Sequence, residues 1–197
     1  MPSRPILDRS IVVVMDDLLR LSSMADQAIA TSMRALSERN AELAKQVNAN
    51  DLTLNEIRYA IEEACYQLIA TQAPNSTDLR TIVGAVSVAT NPERIGDHAA
   101  GIARLTLRMI DQPLLKPLID LPQMAEIARE MVRNAVLAFS NRDVALSEAV
   151  VKRDDAIDLL HQKVYNDLVA YMTKDVSTIE RATFLLWVSH NLERIGD

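Results

Sequence analysis

The pentapeptide Glu-Arg-Ile-Gly-Asp occurs twice in this chain, beginning at Glu93 and at Glu193. In each copy a glutamate and an aspartate stand four residues apart, so on a helix they would face one another: Glu93 with Asp97, and Glu193 with Asp197. Like charges at this spacing repel, and a glycine inside a helix costs about 1 kcal/mol relative to alanine. Because the chain repeats an unfavourable arrangement, we expect another interaction to compensate for its cost. A bound cation would be one such interaction.

A second pair of oxygen-bearing residues precedes each copy of the pentapeptide. Asp51 and Asn55 lie one helical turn apart, and Asp154 and Asp158 repeat this spacing 103 residues later. Two neighbouring helices in each half could therefore present four such side chains to one another. Oxygen ligands suit iron, manganese or magnesium, and zinc is also possible. The predicted metal ligands are Asp51, Asn55, Glu93 and Asp97 in the first half and Asp154, Asp158, Glu193 and Asp197 in the second.

The repeated acids are also compatible with roles that involve no metal. Arg94 and Arg194 could neutralise them, although adjacent helical residues do not face each other, so we expect this to require a partner helix. The acids could also be solvated, and the glycine could serve only to let two helices pack closely.

Three histidines lie close to the acids in sequence, namely His98, His161 and His190. Glu-x-x-His, the pattern of di-iron bundles, is absent, and only Asp158 and His161 have a comparable order. We expect hydrogen bonding at the surface or between helices for these histidines rather than metal ligation.

Apolar residues at alternating steps of three and four predict long helices that would hold these side chains. Glu93 and Gly96 fall on the apolar stripe of their helix, and a glutamate in such a seam must be paired, neutralised or bound to a cation. Ser177 and Glu180 predict a capping box before the last helix. A segment with three prolines, from Ile110 to Pro122, is the best linker. We therefore predict an all-α protein, a tandem duplication of two three-helix bundles with six long helices, spanning residues 1–111 and 112–197.

Composition supports this fold class and excludes several functions. Apolar residues make up 49% and aromatic residues 4% of the chain, which has four glycines, and this favours helix. The net charge of -6 argues against nucleic-acid binding. Cys65 is the only cysteine, which excludes an internal disulfide and fits the cytoplasm. Without a long apolar run, a nucleophile arrangement or a glycine-rich phosphate loop, we predict a soluble, cytoplasmic protein that is not an enzyme.

The chain resembles the PhoU family of phosphate-regulation proteins. The resemblance rests on the segments "IEEACYQLIATQAPNSTDLR", "NPERIGDHAAGIAR", "DDAIDLLHQKV" and "NLERIGD". It implies two three-helix bundles side by side and iron or zinc clusters held by the eight predicted ligands. It further implies a homodimeric negative regulator of phosphate uptake and phosphate-responsive genes. Such a protein would couple the ATPase of a phosphate ABC transporter to a sensor histidine kinase, reaching the membrane only through these partners.

Three features depart from the family pattern. Asn55 stands where an acid is possible, and Pro92 precedes Glu93 within a predicted helix, where it should cause a kink. The family's last helix runs beyond the second pentapeptide, so the last helix here is expected to be cut short at Asp197. Two alternative functions are compatible with the sequence, a metal-independent helical adaptor and a carboxylate-bridged di-metal bundle.

Overall fold

The computed structural model describes residues 5–197, which form six α-helices and one short 3-10 turn and contain no strand. This confirms the predicted all-α class and the six helices. In chain order the helices are α1 (Pro5–Glu38), α2 (Ala41–Gln72), α3 (Ser76–Arg108), α4 (Asp120–Asn141), α5 (Val144–Lys174) and α6 (Ile179–Gly196). Within residues 5–197, no helix is long and apolar enough to cross a membrane.

Side-chain caps explain where several helices begin. Asn75 accepts hydrogen bonds from the backbone N–H groups of Thr77 and Asp78 at the start of α3. The predicted capping box before α6 is wrong, because Ser177 lies in the 3-10 turn Val176–Thr178. The carboxylate of Asp175 accepts from the backbone N–H of Ser177 instead, so the aspartate begins this turn.

The two bundles lie side by side, with α1 packed on α4 and α3 packed on α6. Helices α2 and α5 pack mainly against helices of their own bundle. The helices that carry the first pair of predicted ligands in each half are therefore peripheral, and α3 and α6, which carry the pentapeptides, are central. Helix α3 continues through Pro92 as a single helix.

The apolar core does not divide at the junction of the two bundles. One buried cluster joins Ile29 and Ile102 of the first bundle to Met124 and Val188 of the second. A second cluster fills the interior of α1, α2 and α3 and includes Val136 of α4. The predicted division after residue 111 lies in the segment between α3 and α4. That this segment separates two independent domains stays a prediction.

Polar contacts also join the two bundles. The carboxylate of Asp26 on α1 accepts from Arg129 Nε at 2.9 Å and Nη2 at 3.2 Å, and from Arg133 Nη1 at 2.9 Å. His98 Nδ1 lies 3.1 Å from Asn191 Oδ1, which links α3 to α6. The first contact fixes α1 against α4 and the second fixes α3 against α6.

Replacing Asp26 by alanine should destabilise the protein by roughly 1–3 kcal/mol, because the partly buried Arg129 and the exposed Arg133 lose their shared acceptor. For a chain of this size, each kcal/mol corresponds to a fall of about 2–4 °C in Tm. Thermal unfolding followed by circular dichroism measures the change. The exposed Asp16 on the same helix is the control, and its alanine variant should stay within about 0.5 kcal/mol of the parent. Equal losses in the two variants would contradict a stabilising role for the Asp26 contact.

Candidate metal centre

In the first bundle a glycine allows α2 and α3 to approach closely at the predicted ligands. A Cβ atom added at Gly96 would collide with Leu54 Cδ1 and would lie 3.3 Å from Asp51 Oδ1. Gly96 thus leaves the space that Leu54 fills, and it lets Asp51 Oδ1 lie close to the backbone of the first pentapeptide. We call Asp51, Asn55, Glu93 and Asp97 the first cluster.

The second bundle repeats this contact in the same register. A Cβ atom at Gly196 would lie 2.9 Å from Asp154 Oδ1 and 3.0 Å from Ile157 Cδ1. Asp154 and Ile157 stand 103 residues after Asp51 and Leu54, so the duplication seen in the sequence is also a duplication of the helix contact. We call Asp154, Asp158, Glu193 and Asp197 the second cluster.

Both clusters contain buried carboxylate oxygens without a hydrogen-bond partner. Among the residues described, these atoms are Asp51 Oδ1, Asp154 Oδ1 and Glu193 Oε2. Glu193 Oε2 is 3.3 Å from His190 Nδ1 but makes no hydrogen bond in that geometry. A buried acceptor without a partner is unfavourable and uncommon in folded proteins. A cation or a proton would satisfy these oxygens, so the donor set fits a metal that prefers oxygen ligands.

The charges of the first cluster act on one another. Burial, and after it the charge of Asp97, raises the pKa of Asp51. Burial is also the largest cause that raises the pKa of Glu93, with Asp97 and Asp51 adding to it. Arg58 and Arg94 oppose this increase by stabilising the ionised Glu93. The first cluster therefore combines like charges from two helices and is partly compensated by arginine.

In the second cluster the main contributions to the pKa of Asp154 all raise it. Burial raises this pKa most, and the negative charges of four neighbouring acids raise it further. In order of decreasing effect these acids are Asp158, Asp197, Asp155 and Glu193. Three of the four belong to the second cluster, so the structure brings its predicted ligands into one electrostatic neighbourhood.

The clusters are not assembled coordination shells. Within residues 5–197, no three His, Cys, Asp or Glu side chains are placed so that they could hold one metal ion together. Asp97, Asp158 and Asp197 are exposed, and the Asn55 amide donates to the backbone oxygen of Asp51 at 3.3 Å. The structure thus brings the seven acids together in two groups, whereas Asn55 bonds back to its own helix. Ligation of a metal by the eight residues stays a prediction.

One expectation about neutralisation of the acids is wrong. A partner helix is not required, because Arg194 forms an ion pair with Asp197 three residues later on the same helix. The guanidinium group reaches along the helix to the next turn, which spacing i to i+3 allows. The expected hydrogen bonding of histidine is confirmed for His98 with Asn191 and for His161, whose Nδ1 lies 2.8 Å from Ser189 Oγ.

Arg58 acts on the charge of Glu93 in the first cluster, which was not predicted from the sequence. Arg58 donates to Glu62 one turn further along α2, and its guanidinium carbon lies 4.1 Å from the centre of the Tyr59 ring. The sequence did contain a signal, since Arg58 lies three residues after Asn55 and four before Glu62. The sequence alone does not show that Arg58 lies near Glu93, because this depends on how α2 packs against α3.

The fold and the duplicated helix contact define a helical protein with two carboxylate clusters, and comparison with known proteins identifies its family. The PhoU domain matches residues 18–106 and 121–197, so the chain belongs to the PhoU family. It is 33% identical over 179 residues to the "Phosphate-specific transport system accessory protein PhoU homolog" of Aquifex aeolicus, covering 91% of this chain and 81% of that protein. The Clostridium acetobutylicum homolog is 31% identical over 196 residues, with 99% and 90% of the two chains covered.

A solved structure shows the same architecture. The crystal structure of PhoU from Pseudomonas aeruginosa superimposes with a TM-score of 0.91 at 27% sequence identity, and the match covers 96% of this chain and 91% of that one. This similarity confirms the predicted PhoU-like fold of two tandem three-helix bundles.

The pKa of Asp154 predicts how the stability of the metal-free protein depends on pH. Because this pKa is raised, the folded protein holds the proton more tightly than the unfolded chain does. The contribution of Asp154 to stability is therefore greatest below the pKa of the unfolded aspartate and falls as pH rises through the pKa of the folded state. Asp154→Asn should raise the Tm of chelator-treated protein by about 1–4 °C at pH 8 and by less at pH 4.

Asp167 provides a control of opposite sign. Lys116, which donates to this carboxylate at 2.8 Å, lowers the pKa of Asp167. Its contribution to stability is present above the pKa of the unfolded aspartate and is lost as pH falls through the folded pKa, so Asp167→Asn should lower Tm at pH 8. A lower Tm for Asp154→Asn at pH 8 would contradict the crowding of charge in the second cluster.

Replacing Gly96 by alanine should destabilise the protein although alanine favours helix. The new Cβ would displace Leu54 from its buried position, at a cost of about 1–3 kcal/mol. Chemical denaturation of Gly96→Ala, Leu54→Ala and the double variant forms a double-mutant cycle. The double variant should be more stable than the sum of the single effects predicts, because the smaller residue 54 leaves room for the methyl group. Strictly additive effects would show that contact with Leu54 is not what makes alanine unfavourable at residue 96.

Proposed function

We propose that this protein is a non-enzymatic negative regulator of phosphate uptake and of phosphate-responsive genes. Its relatives in Aquifex aeolicus and Clostridium acetobutylicum carry the name of phosphate-specific transport system accessory proteins, and each aligns with most of this chain. In this proposal the protein acts in the cytoplasm as a homodimer. It couples the ATPase of a phosphate ABC transporter to a sensor histidine kinase and reaches the membrane through these partners.

The observation that supports a metal in this role is the same in both bundles. In each, a buried aspartate oxygen faces the pentapeptide glycine and has no hydrogen-bond partner among the residues described. The first and second clusters would hold iron or zinc, with manganese and magnesium as further possibilities. A bound divalent cation would supply positive charge that relieves repulsion among the carboxylates. Asp51 and Asp154 would then become paired buried groups rather than isolated ones.

An exposed apolar face on α2 supports a role in binding proteins. Leu52, Tyr59 and Tyr66 follow one another at intervals of seven residues, and their exposed fractions are 70%, 60% and 54%. Residues at this spacing lie along one side of a helix, and large exposed apolar residues in a row are typical of contact surfaces. The face borders the first cluster, so a partner bound there would sit next to Asn55.

A metal-independent adaptor is the second candidate function. It is favoured by the finding that, in the described part of the chain, no three ligands are gathered for a metal. In that case the acids would serve as a charged docking surface, and charge reversal at Glu93 would weaken partner binding in metal-free protein. The two candidates differ in whether a chelator alone removes partner binding.

Elemental analysis of protein purified without chelator distinguishes the two candidates. We expect bound iron or zinc in the parent protein, less metal in Glu93→Ala/Asp97→Ala, and still less when Asp154→Ala/Glu193→Ala is added, because ligands of both clusters are then removed. The control is Asp16→Ala, which changes an exposed acid distant in sequence from both clusters. Unchanged metal content in the four-fold variant would contradict the assignment of the ligands.

The regulatory role can be tested in a bacterium that lacks its own PhoU-family protein. The parent protein should restore repression of a phosphate-responsive reporter in high phosphate, and Glu93→Ala/Asp97→Ala should restore it less. Immunoblotting must show equal amounts of both proteins. Full repression by the variant would favour the metal-independent adaptor, and no repression by the folded parent protein would contradict the proposed role.

A further inference from the structure

Helix α2 carries large apolar residues on two opposite sides. The inner side packs into the first bundle through residues at intervals of seven that are at most 8% exposed, namely Val47, Leu54, Ile61 and Leu68. The exposed row of Leu52, Tyr59 and Tyr66 repeats this interval two residues earlier, which is a rotation of about 200° on a helix. Apolar residues around a helix are typical of a buried helix, but within residues 5–197 the outer row is not covered.

The outer row is part of a longer pattern of exposed residues. From residue 49 to residue 70 they follow alternating steps of three and four, namely Ala49, Leu52, Glu56, Tyr59, Glu63, Tyr66 and Ala70. We call these seven residues the outer stripe. Steps of three and four are the heptad pattern through which two helices pack side by side. At 1.5 Å per residue the stripe is about 33 Å long, which is enough for a helix of similar length to pack along it.

The second bundle shows that the fold does not require the outer row. Residues of α5 that lie 103 positions later occupy the equivalent places, because the two glycine contacts have the same register. The place of Leu52 is taken by Asp155, and the place of Tyr59 is taken by Gln162, both of which are polar and exposed. A helix therefore packs into its bundle without large apolar residues at these places, and the row on α2 needs another explanation.

The charged members of the outer stripe are both acids. Among residues 5–197, Glu56 and Glu63 form no ion pair, and Glu63 accepts only from the uncharged amide of Gln67, at 2.9 Å. Arg58 is the only lysine or arginine from residue 46 to residue 79, and it is paired with Glu62. The outer stripe thus combines apolar contact area with negative charge that no cation of the described chain neutralises.

The tyrosines of the outer stripe are also suited to cations. The guanidinium carbon of Arg58 lies 4.1 Å from the centre of the Tyr59 ring, so one face of this ring already holds a cation. Tyr59 is nevertheless 60% exposed, which leaves part of its surface available from outside. Aromatic rings and carboxylates both attract lysine and arginine, so the stripe favours a basic partner.

The same charges disfavour two other occupants. A second copy of this chain would bring further glutamates to the stripe and no lysine or arginine, so its carboxylates would lose water without gaining a partner. An anionic membrane surface attracts basic helices and would repel Glu56 and Glu63.

We propose that the outer stripe of α2 binds a basic amphipathic helix of a partner protein. Apolar residues of that helix cover Leu52, Tyr59 and Tyr66, and its lysines or arginines face Glu56 and Glu63. The inference deepens the proposed function and rests on it only in requiring a protein partner, whether or not a metal is bound. A contact between two single helices is smaller than a standard interface, so we expect a Kd of about 1–100 µM.

Fluorescence anisotropy with labelled synthetic peptides tests the proposal. The basic peptide is about 21 residues long and has leucine and lysine at the two stripe positions of each heptad, with alanine and glutamine elsewhere. The acidic peptide has glutamate in place of each lysine, and a third peptide has the basic composition in scrambled order. The parent protein should bind the basic peptide at least about tenfold more tightly than the other two, and more weakly at high salt.

Leu52→Gln/Tyr59→Gln/Tyr66→Gln removes the apolar contact and keeps α2 rich in helix-forming residues. This triple variant should bind the basic peptide about tenfold or more weakly, because the leucines lose the surface that they cover. Thermal unfolding followed by circular dichroism should show that the variant remains folded, since the three residues are exposed.

The matched control removes an equal number of exposed apolar residues from α5. Val144, Val151 and Leu159 are 70%, 71% and 73% exposed. Val144→Gln/Val151→Gln/Leu159→Gln should change the affinity for the basic peptide by less than about twofold, because these residues lie outside the outer stripe.

Reversal of charge tests the sign of the partner. Glu56→Lys/Glu63→Lys should bind the basic peptide about tenfold or more weakly than the parent does, and the acidic peptide about tenfold or more tightly. A variant that merely failed to fold would lose both peptides, so a gain for the acidic peptide identifies charge as the cause.

Three results would overturn the proposal. One is equal affinity of the parent protein for all three peptides, or equal loss in the triple variant and the α5 control. Another is a parent dimer that the triple variant converts to a monomer in sedimentation experiments, which would assign the stripe to a second copy. The third is binding of the parent to vesicles of phosphatidylcholine and phosphatidylglycerol that the triple variant loses, which would assign the stripe to a membrane.

The phosphate-responsive reporter separates this inference from the proposed function. The triple variant should restore repression less than the parent protein at equal abundance. Full repression by both proteins would overturn the inference and leave the proposed function intact. No repression by a parent protein that binds the basic peptide as expected would overturn the proposed function and leave the binding surface intact.

Discussion

The structure depends on the close approach of two helices at a glycine, which occurs once in each bundle. At Gly96 the space that a side chain would otherwise fill is occupied by Leu54, with Asp51 beside it, and at Gly196 it is occupied by Asp154 and Ile157. This contact places a carboxylate oxygen where no protein donor among the described residues satisfies it. The apolar stripe provides the stability that holds the oxygen there, since Leu54 and Ile157 are almost fully buried beside the same glycines.

The position of the acids in the fold suggests how a local change at a cluster could be transmitted. Helices α2 and α5 lie at the periphery, whereas α3 and α6 pack against each other at the junction of the bundles. Each cluster therefore lies between a peripheral helix and a central one. His98, directly after Asp97, contacts Asn191 of the other bundle, so a short polar path joins α3 next to the first cluster to α6.

Much of this arrangement could be predicted from the sequence because it is periodic. The spacing of apolar residues gave six helices, and the duplicated pentapeptide indicated two equivalent contacts. Non-local contacts were less accessible. The effect of Arg58 on the pKa of Glu93 depends on the register of α2 against α3. The start of α6 depends on Asp175, which begins a 3-10 turn in place of the expected capping box. Whether the acids converge on one metal depends on side-chain positions that helical periodicity does not determine.

The shared core has a consequence for the order in which the chain can fold during synthesis. Val136 is buried among residues of α1, α2 and α3, and Phe139 packs against the same cluster. The first bundle therefore cannot complete its interior until translation has passed residue 139 and α4 has left the ribosome. Until then its apolar surface is exposed, which is the state in which nascent chains are most prone to aggregate and to bind chaperones.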